Sequence, residues 1–356
     1  MKIIVINPGG MSTKVAVYEN KTAVFTQTIE HTQPELAAYS GIAAQKSYRK
    51  SLVKQVLNEN NFKLEDIDEF VGRGGMVRNL AGGVYRINEA YLRDASKGLN
   101  GQHASNLGGI LAHELAQETC PGKCAYTVDP VMVDEYDDIA RLSGLSDISR
   151  VRSFHALNHK AVAARYAQEK DSSIDKLRLI VAHLGSGISV GAHRYGRIVD
   201  VNSALGGDGP MSPERSGGIP PLALIDMCFS QKYSRNEIYK KLIGQGGMYS
   251  YLGTSDARDI EKRVISGDKK AALVFESMAY QVSKEIGACA TVLEGHVDAI
   301  ILTGSIAKSD MFNQWVIRRT QFICQEYVIY PGENEMDALA SGVVDGLHGM
   351  RPVYDY

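Results

Sequence analysis

Two short stretches of this 356-residue chain combine the residue types needed to hold a phosphate. Asn7-Pro8-Gly9-Gly10-Met11-Ser12-Thr13-Lys14 and His183-Leu184-Gly185-Ser186-Gly187 each follow an apolar run with one polar residue and a Gly-rich turn that carries hydroxyls. Glycine lets the backbone bend until successive N–H groups aim at one point, and Ser or Thr hydroxyls add donors there. A tight bend explains either turn alone about as well. Two turns of the same layout, with Asn7 and His183 standing 176 positions apart, point instead to two similar domains that each present one such turn.

Other chemistries find no support. Neither G-x-x-x-x-G-K-[ST] nor an intact G-x-G-x-x-G occurs. His113-Glu114-Leu115-Ala116-Gln117 has Gln where a zinc-protease helix needs its second His. Gly187-Ile188-Ser189-Val190-Gly191 fits the pattern of a hydrolase nucleophile elbow, but the alternation of Ile188, Val190 and Ala192 predicts a hairpin strand that buries Ser189. Cys120 and Cys124 flank a Pro-Gly turn without a second Cys or His pair at zinc spacing.

Composition narrows the partners. The 39 Lys plus Arg against 41 Asp plus Glu give a formal charge of −2, without the basic excess of a nucleic-acid or anionic-membrane binder. With 44% hydrophobic and 22% charged residues the chain reads as globular, and its length suits two domains of roughly 150 residues each. The five scattered cysteines do not form a disulfide framework, and the four-residue apolar run before Asn7 is too short for a signal peptide. No segment nears 18 uninterrupted apolar residues, so a cytoplasmic location is expected.

Apolar periodicity then places elements around the turns. Residues 2–6, 15–18 and 22–28 read as a strand meander, and helical spacing follows at 52–57 and 107–115, the latter with Ser105 or Asn106 as its cap. The second half opens with a strand at 179–182 and a returning strand. It continues with helices at 220–230, 234–243, 256–265 and 269–293, a strand at 299–302, a helix at 309–323, a strand at 326–330 and a helix at 336–347. Such alternation predicts an α/β architecture, and with no low-complexity linker the domain break near residue 155 rests on the repeat.

Ten motifs resemble one family from end to end: I-N-P-G-x-x-S-T-K at the N-terminus, G-R-G-G at 72–75, H-A-S-N at 103–106, V-D-P-V at 128–131, F-H-A-L-N-H at 154–159, H-L-G-S-G at 183–187, G-P-M-S-P-E-R-S-G at 209–217, S-D-A-R-D at 255–259, L-T-G-S-I at 302–306 and N-E-M-D-A-L at 334–339. They look like the butyrate kinases of the acetokinase family, within the sugar kinase, Hsp70 and actin superfamily. The resemblance implies a duplicated, actin-like (ribonuclease H-like) ATPase fold with a central nucleotide cleft. Its halves would be residues 1–155, completed by a C-terminal helix at about 338–356, and residues 156–337. It also implies ATP/ADP and Mg2+ as cofactors, reversible phosphorylation of a short-chain carboxylate to an acyl phosphate, and a homodimer or higher homo-oligomer.

The same resemblance distributes roles. Arg73, Asp129, His183 and Arg258 would act on the moving phosphoryl group. Asn7, Gly9, Ser12, Lys14, His183, Gly185, Ser186, Gly187, Gly304 and Ser305 would hold the nucleotide. Arg73, His103, Phe154 and His155 would hold the acid, and Asn7, Asp129 and Glu335 the magnesium with its waters. The chemistry agrees, since phosphoryl transfer proceeds mainly by positioning and charge stabilisation and a carboxylate nucleophile needs no general base. Acetate, propionate or branched-chain acids are the neighbouring substrate readings. One departure stands out: butyrate kinases usually carry Ser-Thr where this chain has Gly10-Met11. Loss of one neutral donor there costs about 0.5 to 1.5 kcal/mol. A catalytically weakened nucleotide-binding relative is the alternative this departure suggests.

Overall fold

The computed structural model describes residues 1–206 and 208–356. In chain order, the first part holds β1 (Lys2–Pro8), β2 (Ser12–Glu19), β3 (Thr22–Glu30), α1 (Gln33–Ala37), α2 (Lys46–Glu59), β4 (Glu69–Gly72), β5 (Val84–Arg86), α3 (Glu89–Lys97), α4 (Asn106–Thr119) and β6 (Ala125–Val128). Then come α5 (Ala156–Glu169), β7 (Arg178–Leu184), β8 (Ile188–Arg194), β9 (Arg197–Val201), α6 (Pro221–Phe229), α7 (Arg235–Leu242), α8 (Gly247–Leu252), α9 (Ala257–Ile265), α10 (Lys269–Val292), β10 (Ala299–Gly304), α11 (Asp310–Thr320) and β11 (Tyr327–Pro331). The chain closes with α12 (Glu335–Leu347) and β12 (Val353–Asp355). Two compact units result, Met1–Asp134 with Asn334–Tyr356, and Glu135–Glu333.

Each unit is built on one sheet, and the two sheets share a plan. In the first, of order β12-β5-β6-β4-β1-β2-β3, β1 pairs antiparallel with β2 and parallel with β4. In the second, of order β11-β10-β7-β8-β9, β7 pairs antiparallel with β8 and parallel with β10. β1 and β7 start and end 176 positions apart, so the repeat read from the turns extends through the strands that precede them.

Strand alternation assigns the faces. In the first unit Ile4, Ile6, Val15 and Val17 pack with Val53 and Leu57 of α2 and with Leu107, Leu111 and Leu115 of α4. The opposite face, which carries Asn7 and Tyr18, meets α12, where the Tyr18 hydroxyl donates to Asp337 at 2.7 Å. In the second unit Ile180, Ala182 and Leu184 pack with Phe275, Met278 and Val282 of α10 and Phe312 of α11, while Leu179 and Val181 meet Val162, Ala163 and Tyr166 of α5. Full burial of side chains such as these stabilises by about 1.5–3 kcal/mol apiece.

Most expected elements are present, with boundary shifts. The helix expected at 309–323 spans Asp310–Thr320, and β2 begins at Ser12 rather than 15. Ser105 stands at the N-cap of α4, but its side chain makes no capping bond. Ser105 shares its hydroxyl with His103 Nδ1 at 2.8 Å, and the Asn106 side chain accepts from the Met76 N–H and donates to the Gly101 carbonyl. Residues 135–155, assigned to the first half from sequence, group with the second unit because they are tied to its strands. Glu135 pairs with Lys160 at 2.7 Å and accepts from the Ile198 N–H, Asp137 N–H donates to the Val199 carbonyl, and Arg150 pairs with Asp200 at 2.8 Å.

Glycine spacing sets how closely the strand ends pack. A Cβ on Gly72 would fall 2.0 Å from the Gly108 carbonyl oxygen of α4, whereas one on Gly10 would meet nothing within 4 Å. Gly72→Ala is therefore expected to destabilise by about 2–3 kcal/mol or more through backbone overpacking, and Gly10→Ala to stay within about 1 kcal/mol of wild type. Urea unfolding of the two variants reads both; equal effects would contradict the packing account.

Candidate functional site

In the first unit β1, β4 and β6 run parallel, so Asn7, Arg73 and Asp129 all emerge at the carboxyl end of the sheet, where ligands bind in open α/β sheets. Three of the expected residues meet there. Glu335, at the first position of α12, accepts from Asn7 Nδ2 and from Arg73 Nη1, both at 2.8 Å, and Arg73 Nη1 lies 3.4 Å from Asn7 Oδ1. The helix N-terminus favours the Glu335 carboxylate and the Arg73 guanidinium neutralises it, which permits its burial. Lys14 stands opposite Asn7 in the β1–β2 register, so it lies on the same sheet face.

The backbone of the Gly72-Arg73-Gly74-Gly75 segment is clamped. Cβ atoms at Gly74 and Gly75 would strike Pro130 at 2.4 Å and Asn106 at 2.3 Å. These glycines serve close packing, which fixes where Arg73 leaves the chain. His103 lies just before α4, with its Nδ1 accepting the Ser105 N–H at 3.2 Å; that tautomer carries its proton on Nε2.

Asp129 is arranged differently from the expectation. It has a left-handed backbone (φ 38°), its Oδ1 accepts the Gly83 N–H at 2.8 Å and its Oδ2 accepts from Arg351 at 2.6 Å. Both oxygens of this buried carboxylate thus accept a hydrogen bond from the protein. Among the described residues no group of three or more His, Cys, Asp or Glu side chains could hold a metal.

The second unit repeats the arrangement with imidazoles. His183, at the position matching Asn7, is held from α5 as Asn7 is held from α12: its Nδ1 is 2.8 Å from Asn158 Oδ1, and Asn158 Nδ2 donates to the Glu333 carbonyl at 2.8 Å. That fixes Nδ1–H as the donor to Asn158, with Nε2 directed toward Gly185, where a Cβ would lie 3.1 Å away. His155, just ahead of α5, stacks on His183 with ring centroids 3.8 Å apart.

Behind this pair runs a buried polar chain. His155 Nδ1 and His159 Nε2 both meet Ser189 Oγ at 2.9 Å, and His159 Nδ1 lies 3.2 Å from His193 Nε2. Burial pushes His159 down to about 3 and His193 well below its ordinary value, so both rings stay neutral at physiological pH. Ser189 lies buried inside a hairpin strand, as the alternation implied, and its hydroxyl orients imidazoles. Phe154 is buried, with its ring edge-on to His159 at 5.5 Å.

Gly304 must be glycine, since it has φ 91° and its Cβ would fall 2.4 Å from the Leu184 carbonyl oxygen. Ser305 follows it and is exposed, as is Ser186, whose carbonyl accepts from Ser212 Oγ at 2.5 Å.

Arg258 is not brought to this cluster by any contact. It stands in the first turn of α9 with its side chain 86% exposed, paired with the N-cap Asp256 at 2.7 Å. Arg215, which the sequence reading passed over inside G-P-M-S-P-E-R-S-G, lies instead against the second turn: a Cβ on Gly187 would come 1.9 Å from its Nη1. Nη1 donates to the Ala204 carbonyl at 2.5 Å, Nε is buried without a partner among the described residues, and burial lowers the guanidinium's pKa. The signal that was available is the second glycine of H-L-G-S-G, whose missing side chain makes room for that guanidinium.

A model of the acetokinase family matches residues 146–326. The chain is 47% identical over 355 residues to butyrate kinase 2 of Clostridium acetobutylicum, covering 100% of this chain and 99% of that one. It is 46% identical to a probable butyrate kinase of Listeria monocytogenes, with 99% of each covered. Among solved structures, an acetate kinase from Porphyromonas gingivalis superposes with a TM-score of 0.78 at 20% identity, over 96% of this chain and 98% of that one. A propionate kinase from Francisella tularensis gives 0.75 at 19% identity with the same coverage. These two establish the actin-like fold that the doubled sheet plan displays. With full-length identity to the butyrate kinases and the family's strand-end motifs in register, the chain belongs to the acetokinase family.

Proposed function

We propose that the chain is a carboxylate kinase that transfers the γ-phosphoryl group of ATP, reversibly and in line, to butyrate or a similar short-chain fatty acid, giving an acyl phosphate. The observation that carries the reading is the pair of equivalent strand ends, each delivering one polar side chain, Asn7 or His183, beside a Gly-rich turn, in a chain collinear with butyrate kinases. The first unit supplies Arg73 to orient the acid carboxylate and screen its charge, with His103 Nε2–H as a further donor. The second supplies His183, His155 and Arg215 for the equatorial oxygens of the phosphoryl group, where charge gathers in the transition state. Ser12 and Lys14 take phosphate oxygens in one unit and Ser186, Gly187 and Ser305 in the other, while Gly9, Gly185 and Gly304, whose N–H groups donate to the Ser12, Gly187 and Gly332 carbonyls, shape the turns.

Asn7 and Glu335 are oxygen-bearing and nearly dry, which suits a magnesium ion that arrives with the nucleotide and keeps several waters. Mg2+ would supply charge neutralisation at the phosphates. Asp129, with both oxygens engaged, is assigned to holding the end of β6 in place. A homodimer fits the apolar side chains that α6 leaves exposed, Leu222, Ile225 and Phe229.

Three measurements test the reading. A coupled assay with MgATP across acetate, propionate, butyrate and isovalerate is expected to give the highest kcat/KM near butyrate, with about 10- to 200-fold separating acids one methylene apart at the pocket's limit. No phosphorylation of any acid, combined with tight ATP binding, would favour the weakened relative suggested by Gly10-Met11. Arg215→Ala should lower kcat by about 10² or more while Arg258→Ala costs less than about tenfold; the reverse order would return the role to Arg258. Gly10→Ser fits the open space at that position and is expected to lower the KM for ATP about two- to tenfold. An unchanged KM would show that the turn does not take nucleotide oxygens there.

A further inference from the structure

α2 places a fully buried arginine directly beneath the first Gly-rich turn. Arg49 is 0% exposed, and all three guanidinium nitrogens donate. Nη1 reaches the Gly9 and Ser12 carbonyls, each at 2.9 Å, and Thr13 Oγ1 at 3.0 Å; Nη2 reaches the Gly10 carbonyl at 3.0 Å and Gln45 Oε1 at 2.9 Å; Nε reaches Gln45 Oε1 at 3.0 Å. Every acceptor is neutral. Among the described residues no carboxylate pairs with Arg49. A buried guanidinium normally has one, because leaving water is costly for a charge without a counter-ion.

The turn is shaped around this charge. The Gly9, Gly10 and Ser12 carbonyls face Arg49, and the Met11 carbonyl accepts the His31 N–H at 2.8 Å. A trans peptide directs its N–H opposite to its C=O, so the amides of Gly10 and Met11, which follow the Gly9 and Gly10 carbonyls, leave on the side away from the guanidinium. Oriented amides with a full positive charge behind them form an anion site whose counter-charge is missing. Thr13 is buried with its hydroxyl between Arg49 and His31 Nε2, at 2.8 Å from the latter, so it belongs to this support and not to the ligand side.

We infer that Arg49 is a positioning residue for the nucleotide-phosphate turn: it holds the carbonyls inward and supplies the unpaired charge that phosphate oxygens complete. This rests on the reading of that turn as a nucleotide site.

Calorimetry on the full chain, with MgADP and with adenosine as the uncharged probe, tests it alongside Arg49→Gln and Arg49→Lys. Arg49→Gln should weaken MgADP about 10- to 100-fold and leave adenosine within about twofold, with Arg49→Lys in between. A folded Arg49→Gln that binds MgADP like wild type, or that loses both probes equally, would overturn the inference. If Arg49→Gln does not fold, Arg49→Lys decides. A several-fold rise in the KM for ATP at unchanged KM for the acid supports the role, and an unchanged KM for ATP overturns it. Wild-type protein that binds no nucleotide at all would sink the nucleotide reading itself, a separate result.

Discussion

The leading strand of each unit is gripped on both edges, by an antiparallel hairpin partner on one side and a parallel neighbour on the other. That double pairing fixes the register, because a one-residue slip would exchange the core face for the other along the whole strand. It also forces the chain to leave the strand through a tight turn beside the ends of parallel neighbours. Glycines permit that crowding, at Gly72 against α4 and at Gly304 against Leu184. The last polar side chain of the strand, Asn7 or His183, is thereby delivered to the sheet's carboxyl end, and one helix per unit reaches it with a single buried partner, Glu335 or Asn158.

Much of this was legible in the residues. Strands β1 and β7 announced themselves as apolar runs ending in a polar residue, and the hairpin turns as Gly-rich stretches with hydroxyls. The helix α5 was not foreseen. Its first half is covered on more than one side, burying Asn158, His159 and Lys160 as well as Val162 and Ala163, so a polar stripe appears only at Arg165, Gln168 and Glu169. Arg49 was invisible for a related reason: an arginine on a helix reads as a solvated charge, and only the fold shows that it points under a turn. The break at 155 was displaced because residues 135–155 have no strand of their own, and their ties to β8, β9 and α5 are ion pairs and single hydrogen bonds.

Site legibility followed the same division. Asn7, Arg73 and His183 stand at or just past strand ends, and the strands β1 and β7 that carry Asn7 and His183 were readable as apolar runs. Residues on long connections could not be read so, because motif membership does not say which side chain turns inward: Arg258 faces solvent, while Arg215 lies on Gly187. The near-neutral net charge conceals this pattern. Arg73 is neutralised by Glu335 and Asp129 by Arg351, whereas Arg49 and Arg215, one beside each Gly-rich turn, have no carboxylate partner among the described residues.

Direct attack of a carboxylate oxygen on the γ-phosphorus is the central claim, and oxygen labelling reads it most directly. With butyrate labelled by 18O in its carboxylate and unlabelled MgATP, phosphorus NMR should show ADP together with an acyl phosphate whose C–O–P bridge carries 18O. Formation of ADP with unlabelled inorganic phosphate and no acyl phosphate, or ATP left intact beside butyrate, would contradict it.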